Sequence, residues 1–138
     1  MKRNRIGNLS LLALSLLFST TGAFAQSPSR ANVPFAFNVG TKHLPAGPYE
    51  IKRADFNSNF VMVTNRGTGE TVLSLYRPET PGHKNHKLIF HHRGNQYFLT
   101  EIWGGEGATG MAMPVTKAEQ QVEVASNPTT KNIEIALK

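Results

Sequence analysis

The chain has 138 residues, a formal net charge of +6 and no cysteine. This length suits one domain that buries its own hydrophobic core. The lack of cysteine excludes disulfides, reactive thiols and thiolate metal sites, so hydrophobic packing must stabilise the fold.

The first 25 residues are typical of a secretory signal peptide. Three basic residues precede an apolar run at 9–18, and Ala23 and Ala25 form the small-x-small pattern that a signal peptidase cleaves. We expect cleavage after Ala25 and export to the periplasm or the cell exterior. The apolar run falls well short of the ~20 residues of a membrane-spanning helix, so no span is expected after processing.

Removal of the signal peptide leaves a weakly charged domain. Three of the 15 lysines and arginines lie in the signal, so its loss lowers the formal net charge from +6 to +3. The remaining cations are scattered along the chain instead of forming one basic block. Nucleic-acid binding depends on such a block, so no nucleic-acid partner is expected.

The exported chain begins with a polar segment at 26–32, which predicts a flexible arm before a single domain at 33–138. Apolar residues then occupy every second position from Val33 to Val39, the pattern of a strand with one buried face. Pro34 lacks an amide donor, which places this strand at a sheet edge or puts the proline near the strand's start.

The next part of the chain predicts a turn and three strands. The segment 44–48 is too rich in proline for regular pairing and suits a turn with proline at its second position and glycine at its fourth. A half-buried strand follows at 49–53. The segments 60–64 and 71–76 are β-branched and aromatic, and they flank a loop of hairpin composition, so we expect them to pair antiparallel.

A second hairpin is predicted further along. The segment 77–85 contains two prolines and a glycine, which indicates a connecting loop, and strands at 87–92 and 96–103 then flank a tight turn at Gly94 and Asn95. A two-residue turn there sets the register: His92 opposes Tyr97, Phe90 opposes Leu99 and Leu88 opposes Glu101 on one face, while His91 with Phe98 and Ile89 with Thr100 share the other.

The last third of the chain predicts one helix and a final strand. Thr116-x-x-Glu119 has the form of a capping box, which favours a short helix at 117–124, although Val122 and Val124 also alternate as in a strand. Alternating apolar residues at 133–137 predict the terminal strand. These patterns together predict an all-β fold, a single antiparallel β-sandwich or small barrel of about seven strands with at most one short helix.

Two segments carry a resemblance to a known group. The runs VPFAFNVG at 33–40 and LPAGPYEI at 44–51 resemble a family of small, uncharacterised, signal-bearing proteins of environmental bacteria, and later segments at 88–90 and 97–103 are similar to theirs as well. The resemblance implies an exported all-β domain. It implies no activity, because the similar residues are those of turns and of the core.

Four histidines within ten residues, His83, His86, His91 and His92, are the candidate metal ligands. Imidazole is a common ligand of zinc and copper. His91 and His92 are neighbours on a predicted strand and point to opposite faces, so at most three of the four can converge. We expect no metal or cofactor, and a histidine-based metal-binding protein remains an alternative.

Catalytic signals are sparse. Asp55 is the single aspartate, and no serine lies in a nucleophile-elbow pattern, so a Ser-His-Asp arrangement has little support. Glu101 and Glu106 are the glutamates that would have to pair for glycoside hydrolysis. The glycine pattern at 105–110 resembles a dinucleotide-binding turn, but Pro114 follows too soon for the helix that such a turn must open.

Tyr97 and Trp103 would share a face with Leu99. These three side chains would either line a ligand pocket or pack in the core, and we favour the core. The sequence therefore predicts an exported, non-catalytic β domain that binds a small-molecule or protein ligand. A small exported hydrolase is the second alternative.

Overall fold

The computed structural model describes residues 28–55, 58–79, 85–104, 109–125 and 130–138. The predicted signal peptide, with Ala23 and Ala25, lies outside these ranges. The described part is all-β, as predicted, with a single short helix. Its elements in chain order are β1 (Ser29–Val33), β2 (Phe37–Val39), β3 (Lys42–Leu44), β4 (Gly47–Arg53), β5 (Phe60–Asn65), β6 (Thr71–Leu75), β7 (Arg77–Glu79), β8 (Lys87–Arg93), β9 (Gln96–Trp103), β10 (Gly110–Ala112), α1 (Lys117–Ala125) and β11 (Lys131–Ala136).

Two sheets form a half-barrel or sandwich-like arrangement. Sheet A has the strand order β1-β4-β5-β6, and all its pairs are antiparallel. Sheet B has the order β11-β8-β9-β10-β7, and the β2–β3 hairpin adds to β9 through a parallel contact between Asn38 and Phe98. The two sheets meet where the backbones of Arg30 and Lys138 exchange two hydrogen bonds of 2.9 Å.

The core lies between the inner faces of the two sheets. Val33, Val61 and Val63 face it from sheet A, and Leu88 and Ile102 face it from sheet B. Phe37 connects these layers, since its ring packs edge-to-face on Tyr49 at 5.0 Å and on Phe90 at 5.2 Å between centroids. Burial of such aromatic and branched side chains supplies the main stabilisation of a domain without disulfides.

A buried polar contact fixes the entry to β4. The hydroxyl of Tyr49, which is fully buried, donates to the carbonyl of Pro45 at 2.5 Å and accepts from Asn65 Nδ2 at 3.0 Å. The Asn65 Oδ1 atom accepts the amides of Gly67 and Thr68 in the β5–β6 loop. Burial raises the pKa of the Tyr49 phenol above its ordinary value of 10.0, and Glu70 raises it further, against the opposing hydrogen bond from Asn65.

Four local predictions near the N-terminal half are wrong or incomplete. The arm predicted at 26–32 is a strand from Ser29 onward, because its backbone pairs with β4 and buries Ala31. The strand predicted over 33–39 is broken between β1 and β2, next to Pro34. Pro48 lies within a strand, paired with Asn32, although the proline-rich segment predicted only a turn. The segment predicted as a loop at 77–85 begins with β7, which pairs with β10.

The predicted β5–β6 and β8–β9 hairpins are confirmed. In the second, His92 faces Tyr97 and Phe90 faces Leu99, as expected. A β-bulge then shifts the register, so that Leu88 opposes Ile102 and Ile89 opposes Glu101. The extra residue is Thr100, whose hydroxyl donates to the Ile89 carbonyl at 3.1 Å. The predicted pairs Leu88–Glu101 and Ile89–Thr100 are therefore wrong.

The C-terminal predictions hold better. The stretch that allowed a helix or a strand is the helix α1, and Thr116 caps it by accepting the Glu119 amide at 3.2 Å. The terminal strand is β11, paired with β8, and Leu137 after it is buried. Within the described residues, eleven strands replace the expected seven, because several are short segments of three residues. No helix among these residues has the length and apolar character needed to cross a membrane.

Candidate functional site

Within the described residues, the candidate ligands His86, His91 and His92 do not converge on one point. His83 lies outside the described residues. His91 and His92 point to opposite faces of β8, as predicted, and His86 precedes that strand, where its backbone carbonyl accepts the Leu137 amide. Among the described residues no three histidine, aspartate or glutamate side chains form a possible metal site. His43 is separate, and its Nδ1 contacts the Asn38 side chain at 3.0 Å.

His92 belongs to an aromatic stack. Its ring lies parallel to that of Tyr97 at 4.4 Å, and Tyr97 stacks on Phe35 at 4.0 Å, each pair with an interplanar angle of 17°. Phe35 then meets Phe90 edge-on at 5.2 Å. All three rings of the stack are partly buried, and the stack closes one end of the core. The position of the His92 ring is therefore explained by its stacking on Tyr97.

Trp103 does not share the face of Tyr97 and Leu99. The bulge at Thr100 moves the core-facing position of β9 to Ile102, so that Trp103 turns to the outer face of sheet B. There the indole Nε1 donates to the Glu101 carboxylate at 2.6 Å, and the ring lies against Gly110. The predicted aromatic row is therefore divided between two faces of the sheet, and Glu101 is a partner of the indole.

The remaining catalytic candidates lie only partly within the described residues. Glu106 and most of the glycine-rich loop lie outside the described residues, so the Glu101–Glu106 pair lies partly beyond what the structure describes. Asp55 is exposed after β4. Among the described residues, no hydrogen bond or ion pair links Asp55 to a histidine.

A buried charged cluster attaches α1 to sheet B. Glu119, which is 3% exposed, places its carboxylate 3.2 Å from His91 Nδ1 and 3.3 Å from Arg93 Nε. Arg93 also pairs with Glu123, one turn further along the helix. The Arg93 guanidinium thus forms ion pairs with the Glu119 and Glu123 carboxylates, although its Nε and Nη1 atoms form no aligned hydrogen bond. His91 Nδ1 also lies 3.4 Å from Arg93 Nη2, so its tautomer decides which neighbour it bonds.

This cluster explains how a polar helix docks on a sheet. Glu119 is the buried residue of α1, while Val124 is 89% exposed. The helix is therefore held by charge compensation more than by apolar contacts. The capping-box pattern did predict the helix, but it assigned Glu119 to the helix terminus, and nothing in the sequence showed that its carboxylate turns toward β8.

The outer face of sheet A carries an exposed apolar surface that the sequence analysis missed. Phe60, Leu73 and Leu75 are 39%, 56% and 51% exposed, and Met62 is partly exposed between them. The strand register pairs Phe60 with Leu75 and Met62 with Leu73, so these four side chains, here called the β5–β6 apolar face, are direct neighbours.

The β5–β6 apolar face borders a polar one. On the neighbouring strand Lys52 is paired with Met62, and Glu50 forms an ion pair with Arg30 at 3.7 Å. The composition of β5 and β6 is the signal that could have revealed the apolar face. Both sets of alternate positions in each strand contain large apolar residues, and one of the two sets must point away from the core.

Comparisons with protein-family models, with curated proteins and with solved structures gave no match.

Proposed function

We propose that the chain is exported and acts as a non-catalytic binding domain whose ligand is a protein. The observation that carries this proposal is the β5–β6 apolar face. Contiguous apolar surface rimmed by polar residues is typical of protein contact sites. Phe60, Leu73 and Leu75 are large side chains on paired strands of a regular sheet, so their exposure needs no rearrangement of the fold.

The partly buried histidines and the buried Glu119 carboxylate support a non-catalytic role. The Glu119 carboxylate is engaged by Arg93 and His91 beneath α1, and His92 is stacked on Tyr97. Each of these groups has a structural partner that accounts for its position. A surface contact, in contrast, uses side chains that have no such partner within the core.

Site-specific photo-crosslinking in the native cells tests the proposal. Leu73 is replaced by a benzophenone-bearing residue in the full-length chain, and the matched control carries the same residue at the exposed Gln121 on α1. We expect a light-dependent protein adduct from position 73 and none from position 121. Absence of an adduct at 73, or equal adducts at both positions, would overturn the proposal. An unprocessed leader in the purified chain would overturn the export part.

A further inference from the structure

We infer that the partner is a second copy of this chain, joined through strand β6 so that two sheets A become one continuous antiparallel sheet. This inference rests on the proposed function and names its partner. It begins from the position of β6, which is the end strand of sheet A and pairs only with β5 among the described strands. Among the described residues, no backbone hydrogen bond links its other edge to a further strand.

The other sheet edges are protected in ways that β6 is not. The outer edge of β1 is covered by its two hydrogen bonds with Lys138. β7 is a three-residue strand of arginine, proline and glutamate, and β3 and β11 each carry charged residues. Charges, prolines and short length are the means by which proteins prevent edge-to-edge pairing. β6, with the sequence TVLSL, has no charge, no proline and no bulge against β5.

The side chains of β6 are compatible with pairing to themselves. An antiparallel twofold arrangement centred on Leu73 places Leu73 against Leu73 of the second copy and Thr71 against Leu75, all on the outer face. The exposed leucines of both copies then form one apolar row across the junction. Each copy also adds Phe60 and Met62 one strand further out, so the β5–β6 apolar faces become continuous.

Charge favours the antiparallel direction. Glu70 precedes β6 and Arg77 follows it, so the strand has an acidic and a basic end. Antiparallel pairing places Glu70 of one copy near Arg77 of the other, whereas parallel pairing would place like charges together. Arg77 is free to reorient, because its side chain is 81% exposed and its contact with Glu79 is 3.4 Å long. A twofold contact of this kind is closed and gives a dimer.

Disulfide trapping tests the register directly, because the native chain contains no cysteine. Leu73→Cys in the chain without its leader places two thiols opposite each other, within the Cα separation that a disulfide requires, and we expect a covalent dimer on mild oxidation. Leu75→Cys is the matched control. Its two copies would be separated by about four residues of strand, or ~13 Å, too far to bond. Mixing Leu75→Cys with Thr71→Cys is expected to restore the cross-link.

Sedimentation equilibrium of the unmodified chain provides the second measurement. A contact of five paired residues belongs to the small, transient class of interfaces, so we expect a concentration-dependent monomer–dimer equilibrium. Leu73→Glu, which places two carboxylates together at the twofold axis, is expected to abolish the dimer without loss of fold, since Leu73 is more than half exposed.

The outcomes separate this inference from the proposed function. A chain that stays monomeric at about 1 mM, or a Leu73→Cys dimer that forms no faster than the Leu75→Cys dimer, overturns the inference. A photo-adduct at position 73 with a different protein would then still support the proposed function. Equal loss of the dimer in Leu73→Glu and Phe60→Glu would indicate face-to-face packing and would also overturn pairing through β6.

Discussion

Glu119→Gln is expected to destabilise the domain by about 2–3 kcal/mol. The substitution keeps the size of the side chain but removes the negative charge beneath α1. Arg93, whose side chain is 10% exposed, then keeps only Glu123 as a counter-charge, and Glu123 is 46% exposed to solvent. Removal of one partner from a buried ion pair costs about 3–5 kcal/mol, and the remaining Glu123 contact reduces this.

Urea denaturation of the chain without its leader measures the loss. Fluorescence of Trp103, the single tryptophan, reports on sheet B, and far-ultraviolet circular dichroism reports on the helix. Glu123→Gln is the matched control on the same helix. Because Glu123 is largely exposed, its loss is expected to cost at most about 1 kcal/mol.

A double variant separates charge compensation from packing. Arg93→Met combined with Glu119→Gln removes both charges, and we expect it to be more stable than Glu119→Gln alone, because no unpaired guanidinium is left in the interface. Equal destabilisation by Glu119→Gln and Glu123→Gln would refute the reasoning. So would a double variant whose loss of stability equals the sum of the losses measured for Arg93→Met and Glu119→Gln alone.

Four further predictions concern Tyr49, Gly110 and the histidines. Tyr49→Phe is expected to cost about 1–3 kcal/mol in urea titrations, because the Pro45 carbonyl and the Asn65 amide lose their buried partner. Since the folded pKa of Tyr49 is raised, the native chain should lose stability as pH rises above the ordinary value of 10.0, and Tyr49→Phe should lose less; an unchanged alkaline profile would contradict this. Gly110→Ala is expected to lower the melting temperature, at a cost of about 1–3 kcal/mol, because its Cβ would lie 2.6 Å from the Trp103 ring, and an unaltered melting curve would show that the ring yields. Added zinc is expected to leave the melting temperature unchanged, whereas a rise would revive the histidine alternative.

The fold class and both main hairpins could be predicted from the sequence because hydrophobic alternation and turn composition are local properties. The β8–β9 register was predictable from the turn as far as Phe90 and failed beyond it, since a bulge at Thr100 depends on a hydrogen bond to Ile89 across the hairpin. β1 was missed for a related reason. Its side chains are mostly polar, and what makes it a strand is backbone pairing with β4 and Lys138, which leaves no periodic signal.

The candidate sites were less predictable than the fold. His91 and His92 are adjacent in sequence, but the pleat of β8 places them on opposite faces, where they contact Glu119 and Tyr97. The Glu119 contact joins residues from two distant segments, and the sequence shows only the helix cap. The β5–β6 apolar face could be predicted in part, because Phe60, Met62, Leu73 and Leu75 are apolar where a one-sided sheet would be polar. Their exposure could not be predicted, because it depends on the absence of a covering element among the described residues.

The two backbone hydrogen bonds between Arg30 and Lys138 join a segment early in the sequence to one late in it. While the polypeptide is still being synthesised, β1 has no neighbour on that side, and only the arrival of the residues after β11 supplies one. Contacts between such distant segments form slowly, since a long loop must close before they contribute. The backbone contact between the two sheets at Arg30 can therefore form only after Lys138 has reached the folding chain.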